Sequence, residues 1–271
     1  MNTTINYQEK NDNLLKEWKD QCLKDGFEKF CDDGLMFKGE IRTTHNSNGS
    51  LCYYRNPGDE DRLWGCAPKR VMFLNKDVPN EKNEDLRARI FRQNPTIISS
   101  LIYKNISLWL YGLLNVNKDA IPPDFDAIND SLILTPFIDK TPIAYVNCKK
   151  ESGYSSISNE VLNDHIERYD SYLSEQIQIL DPDIIVCGGG SGSIKNFIDR
   201  KVYPNIEEVN TWMFYDKGNY KLVIDSFHPS YFGLTQKEFY SRMMEKYREF
   251  LIQFPEFLNS CRNSKCTGAN K

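Results

Sequence analysis

Histidine is scarce in this chain, with three in 271 residues, at positions 45, 165 and 228. Long apolar runs are missing as well. No stretch approaches the roughly 20 uncharged apolar residues of a membrane-spanning helix, so an integral helical membrane protein is excluded. The opening residues, MNTTINYQEKNDNLLKEW, have neither the basic start nor the apolar run of a secretory signal, and a soluble cytoplasmic protein is expected. Excess positive charge is absent: the formal net charge is −4. That argues against holding nucleic acid by an overall positive field, while a compact site needs only a local patch. No internal repeat or low-complexity tract interrupts the chain. The eight cysteines, without a signal peptide, are expected to be reduced thiols rather than a disulfide framework.

What is present reads as alternating strands and helices. NLLKEWKDQCLKD predicts a helix, and THNSNGS and RNPGDED are rich in turn formers, so residues 1–68 are expected to form an irregular accessory lobe. RVMFLN, Arg70 to Asn75, is a short apolar run that predicts a buried strand ending in the polar loop KDVPNEKNED. NPTIISSLIYKNISLWLYGLL has helical length and spacing, NKDAIPPDFDAIND is a loop, and PIAYVNC is a second strand. SNEVLNDHIERYDSYLSEQIQIL starts with a cap and predicts one amphipathic helix, halted by DPD. IIVCGGG is a third buried strand running into glycines and then a helix over SIKNFIDR; NTWMFYDKGNYKLVIDSF predicts two strands around DKGN. TQKEFYSRMMEKYREFLIQF is a final amphipathic helix, and residues 256–271 are expected to be a flexible tail.

Strands separated by helices imply right-handed crossovers. The expected fold over residues 69–255 is therefore a three-layer α/β/α sandwich with a central, mostly parallel sheet. In such sheets ligands bind beyond the carboxyl ends of the strands. Four polar stretches fall at that edge: KDVPN (Lys76–Asn80), VNCKK (Val146–Lys150), GGGSGS (Gly188–Ser193) and HPSYF (His228–Phe232). Lysines and arginines crowd the segment from Lys69 to Arg92 and the helix from Lys237 to Arg248. Each cluster reads equally as a solvated face or a nucleic-acid surface.

The order of these blocks resembles the uracil-DNA glycosylase superfamily, closest to its bacterial and archaeal branch, over roughly Arg70 to Phe250. The resemblance implies a DNA glycosylase, a monomer acting on DNA without a cofactor, that flips out a base and hydrolyses its N-glycosidic bond to leave an abasic site. It implies Asp77 and His228 as catalytic residues. Asp77 would position water and offset the oxocarbenium charge; His228 would donate a hydrogen bond to the departing base. Asn147 would read the base edge through its amide, with Val78 and the stacking ring Phe91 lining the base pocket. Contacts to the DNA backbone and duplex would come from Lys76, Asn80, Gly189, Ser191, Ser193 and Ser230. Tyr231, Phe232 and Leu234 are the candidates for a wedge that fills the gap left by the base. Each residue also has a structural reading: Asp77 as a loop carboxylate, Asn147 as a strand-end amide, Phe91 as core, the glycines as tight packing.

The departures from the family matter too. The related branch usually holds an iron–sulfur cluster on four cysteines, and Cys22 and Cys31 are too far apart for its CxxC pair, so neither cluster nor other metal is expected. Lys76 and Asn80 replace two glycines of its first motif, which rebuilds the pocket rim. The expected target is therefore uracil or a modified pyrimidine, including hypermodified phage bases, with an antiviral defence role in that case. Two rival classes stand beside this: a catalytically silent nucleic-acid binder of the same fold, and a nucleoside-hydrolysing small-molecule enzyme.

Overall fold

A computed structural model describes residues 6–45, 48–77, 84–90, 98, 100–151, 157–189 and 192–259. The chain opens on α1 (Tyr7–Lys24), capped by the Asn6 side chain, which accepts from the Glu9 amide. Strand β1 (Gly34–Leu35), the hairpin β2 (Ile41–His45) and β3 (Leu51–Arg55), and α2 (Glu60–Cys66) follow. Then come β4 (Val71–Asn75), α3 (Leu101–Leu114), α4 (Phe125–Ile128), α5 (Ser131–Lys140) and β5 (Ala144–Asn147). The remainder is α6 (Asn159–Arg168), α7 (Asp170–Leu180), β6 (Ile184–Gly188), α8 (Ser193–Lys201), β7 (Glu207–Glu208), β8 (Met213–Asp216), β9 (Lys221–Ser226), α9 (Gln236–Gln253) and α10 (Glu256–Asn259).

Seven strands form one sheet in the order β1-β5-β4-β6-β9-β8-β7, and β2 and β3 pair separately. The four central strands, β5, β4, β6 and β9, are mutually parallel, whereas β1, β8 and β7 join antiparallel. The sheet is thus mixed rather than mostly parallel. The DKGN turn accounts for β8, since it is short enough to connect only antiparallel neighbours, and the N-terminal β1 adds a further antiparallel edge. Helices flank the sheet. Val71 and Phe73 of β4 pack into a cluster with Trp109 of α3 and Phe239 of α9. Met72 and Leu74 pack into a second cluster with Trp18 of α1, Ile177 of α7 and Phe197 of α8. Alternate side chains of a strand leave on opposite faces, so a strand apolar throughout needs both faces covered.

The segment read as an accessory lobe contributes directly to this core. It supplies β1 to the sheet, and Trp18 and Trp64 are fully buried. The Trp64 indole donates to the Leu180 carbonyl at 2.8 Å, and Arg70 donates to the Trp64 carbonyl at 2.9 Å and to the Tyr7 hydroxyl at 2.7 Å. Other expectations are corrected locally. The helix predicted over residues 158–180 is two helices, broken at the buried Tyr169, whose hydroxyl donates to Asp25 at 2.7 Å. SLILTPFIDK, unassigned from sequence, is helical with Pro136 inside it, and Asp130 caps it by accepting from the Leu132 amide. Cys66 is disulfide-bonded, while Cys22, Cys31, Cys52, Cys148 and Cys187 are free thiols. No helix among the described residues is long and apolar enough to cross a membrane.

Candidate active site

Because β5, β4, β6 and β9 run the same way, their carboxyl ends meet at one edge. The register pairs Asn75 with Asn147 and with Gly188, and Gly188 with Ser226. Two residues back along each strand stand Phe73, Tyr145, Val186 and Ile224, all in the cluster around Trp109. The row Asn147, Asn75, Gly188, Ser226 therefore faces the α3 and α9 layer. Asn75 is wholly buried, yet among the described residues neither its Oδ1 nor its Nδ2 has a hydrogen-bond partner; Asn147 Oδ1 and Ser226 Oγ are buried and unpartnered there as well. Leaving such groups unpaired costs about 1–3 kcal/mol each, which marks the row as a place built to meet something polar.

Glycine is required in the middle of it. A Cβ on Gly188 would stand 2.2 Å from Asn75 Oδ1 and 2.9 Å from Pro229 Cδ. The amide from β4 and the proline of the HPS turn thus close over a bare backbone, bringing the first and last motifs together. Asn105 of α3 holds that turn from the side, donating to the Pro229 carbonyl at 2.7 Å. Asn75 was legible in the sequence only as the polar end of an apolar strand, and Asn105 carried no signal.

Three charged or titrating groups follow the strand ends. Lys76 lies across Gly189, whose missing Cβ would fall 2.8 Å from Lys76 Cε, and its ammonium donates to Asn159 Oδ1 at 3.0 Å. Asp77 is half-buried; burial holds its carboxyl above the ordinary carboxylate range, and the charges of Lys149 and Lys76 draw it partway back. His228 is pushed down to about 4, first by burial and then by Lys76. One lysine therefore acts on both. The Ser230 main-chain N–H donates to His228 Nδ1 at 3.2 Å, so Nδ1 is the unprotonated nitrogen and the Ser230 hydroxyl, 2.6 Å away, donates to it too. At neutral pH the ring is uncharged and carries its proton on Nε2. Since β6 separates β4 from β9, Asp77 and His228 leave strands about 10 Å apart, across the glycine end of β6.

Asn147 is anchored from behind. Its main-chain N–H donates to Asp33 Oδ2 at 2.8 Å, and its Nδ2 faces the same oxygen at 3.4 Å. Asp33 in turn pairs with Lys150 at 2.5 Å, both side chains fully buried. Neither Asp33 nor Lys150 was anticipated as part of the site. The only hint in sequence was a lysine immediately after a buried strand.

The aromatic residues after HPS sort by exposure. Tyr231 stacks on Phe227 with ring centres 4.6 Å apart and planes 12° apart. A Cβ on Gly233 would fall 2.2 Å from the Tyr231 hydroxyl, so the ring folds back against bare backbone. Leu234 is partly buried against the Trp109 cluster. Phe232 alone of the three stands out, 90% exposed. Ser230, expected at a phosphate, has both its amide and its hydroxyl turned to His228. Ser193 opens α8 behind Gly192, which takes a left-handed conformation at φ 73°. Val78, Asn80, Phe91 and Ser191 lie outside the described residues.

Much of the first basic cluster is internal: Arg87 pairs with Asp85 and Asp12, Arg89 with Glu84, and Arg70 is buried. Buried His165, between the rings of Phe27 and Tyr169, is pushed down to about 3 by burial and by the charges of Lys149, Lys150 and Arg168. Among the described residues no group of three or more His, Cys, Asp or Glu side chains is arranged to hold a metal ion. The chain matches no known protein-family model, and no curated protein is significantly similar to it.

Proposed function

We propose that the protein is a DNA glycosylase built on a three-layer uracil-DNA glycosylase-like fold, acting on uracil or a modified pyrimidine. One observation carries the reading: a carboxylate after β4 and an uncharged Nε2–H imidazole after β9 flank the glycine end of β6, with Lys76 in electrostatic reach of both. Breaking the bond between C1′ and the base nitrogen sends its electron pair to the base and leaves positive charge on the sugar. Asp77 offsets that charge, orients a water toward C1′ and takes its proton as the new C–O bond forms. His228 Nε2–H donates to the base oxygen where negative charge gathers, a stabilisation that needs no proton transfer. Lys149 and Lys76 favour the ionised form of Asp77, and burial together with Lys76 favours the uncharged form of His228, the two states this chemistry requires.

Phe232 is the wedge in this scheme. A ring 90% exposed, touching only the edge of the Tyr231 stack, adds little to folding, while insertion between base pairs would occupy it. Tyr231 and Leu234 hold its base. Lys76 stands where a glycosylase pocket normally has glycine, and its cation suits a substituted or phosphate-flanked pyrimidine; action on hypermodified phage DNA would make the protein a defence enzyme.

The test is to incubate the protein with duplexes carrying uracil or phage-type modified pyrimidines, and in parallel with free nucleosides. The reading expects alkali-labile abasic sites and free base from DNA and no turnover of nucleosides. Binding without cleavage favours a silent binder; nucleoside turnover alone favours a small-molecule hydrolase.

A further inference from the structure

We infer that Lys76 is a nucleophile as well as a charge: its amine condenses with the aldehyde of an abasic site held beside Asp77, and the protein then cuts the strand by β-elimination. The inference rests on the glycosylase reading above and adds to it a second activity of the same site.

Lys76 immediately precedes Asp77 after β4, so the sugar carbon that Asp77 serves lies within reach of the lysine side chain. Its stem is laid over bare backbone: a Cβ on Gly189 would fall 2.8 Å from Lys76 Cε and 2.9 Å from its Cγ. The chain thus crosses the end of β6, between the strands that lead to Asp77 and His228. Its amine ends on Asn159 Oδ1 at 3.0 Å, a neutral acceptor, and no described carboxylate lies within ion-pair distance of it. It is nevertheless near enough to act on the charge of both Asp77 and His228. Other lysines around the site are committed. Lys149 donates to the Glu151 carbonyl at 2.7 Å and pairs with its carboxylate at 3.3 Å. Lys150 is enclosed against Asp33 and Gln176, and Lys195 lies 4.7 Å from the centre of the Phe214 ring. An amine held by a neutral amide gives up less in exchanging that partner for a substrate than one held in an ion pair.

Loss of the base and addition of water leave C1′ as a hemiacetal, which opens to an aldehyde. Unprotonated Lys76 Nζ adds to C1′ and water departs, leaving an imine whose protonated form draws electrons from C2′. The Asp77 carboxylate takes a C2′ proton. The electron pair of that C–H bond forms the C2′=C3′ bond as the C3′–O bond breaks, and the 3′ phosphate leaves with the C–O electrons. Water then hydrolyses the imine, returning the amine and leaving an unsaturated aldehyde on one strand end and a phosphate on the other. Burial, which holds the Asp77 carboxyl above the ordinary carboxylate range, makes its ionised form the stronger proton acceptor for this step.

The test gives the full chain a duplex with a pre-formed abasic site, so that it does not depend on base release. Borohydride reduces the imine to a stable amine, and peptide mass spectrometry locates the adduct. The wild-type protein is expected to be trapped through Lys76 and, without borohydride, to cut the strand in the absence of alkali. Neither should occur with the tetrahydrofuran analogue of the abasic site, which has no aldehyde. In Lys76→Arg, which keeps the charge but stays protonated and cannot attack, adduct and incision are both expected to disappear. The inference is overturned if no adduct forms with the abasic duplex, if the adduct sits on another residue, if the strand is not incised, or if Lys76→Arg is trapped as well as the wild type. Should the variant not fold, the position of the wild-type adduct still decides. Trapping and incision through Lys76 with no release of base from any duplex would leave the inference standing and remove the glycosylase reading; base release without trapping would do the reverse.

Discussion

At the scale of single residues, the account turns on Lys76. Its charge lowers the carboxyl of Asp77 and the imidazole of His228 together. The proposed reaction requires Asp77 ionised and His228 uncharged, so both requirements fail on the acid side, and the rate should be lost as pH falls through their folded values. The wild-type acid limb of kcat/KM is expected at or above the value of about 4 held by His228, because burial raises the carboxyl of Asp77 as well. Removing the charge with Lys76→Met raises both groups, and the limb should move toward higher pH, with the His228 imidazole titrating closer to its ordinary 6.5 by NMR. An unmoved limb would show that Lys76 does not couple the two groups. Asp77 and His228 were singled out from their blocks, and the sheet sets them on either side of the end of β6. Asn75 and Asp33 were not, because a strand-end asparagine and a loop aspartate look ordinary until the sheet aligns one with Asn147 and folds the other under it.

At the scale of elements, the strand ends and the turn after β9 do the positioning. Gly188 admits the Asn75 amide and Pro229, so Gly188→Ala should push both away and reduce activity by about tenfold or more, since small displacements of reacting groups are costly. Circular dichroism and single-turnover rates would check that the loss comes with an intact fold. Phe232→Ala should leave the melting temperature nearly unchanged, because the ring is 90% exposed and its contact is with Tyr231 at the surface. It should slow cleavage of duplex more than of single-stranded substrate, which has no stack to open; equal effects on the two would argue against the wedge. The strands β4, β5, β6 and β9 were readable as short apolar runs ending in polar residues. The helix at α5 was not: its ten residues stand between a turn-rich loop and a strand, with Pro136 inside them. Nor was the break at Tyr169, since α6 and α7 share one continuous amphipathic pattern and tertiary packing of the tyrosine decides where it divides.

For the whole molecule, the N-terminal segment is part of the core. Sequence suggested an accessory lobe, because its loops are rich in turn formers. Strand β1 nevertheless pairs with β5, and the Asp33–Lys150 pair lies beneath Asn147. Lys150→Met alone would strand the Asp33 charge in the interior, at a cost of about 3–5 kcal/mol. D33N/K150M should recover most of that, as urea denaturation would show. Deleting residues 1–40 removes Trp18 and Asp33 together and is expected to yield no cooperatively folding protein.

The most direct test of the central claim is single-turnover release of base from a cleavable duplex by the wild-type protein, D77N and H228Q, each shown to melt at the wild-type temperature. The account predicts losses of about 100-fold or more in each variant. A wild-type rate in either would contradict it, because the carboxylate after β4 and the imidazole after β9 would then not serve one reaction.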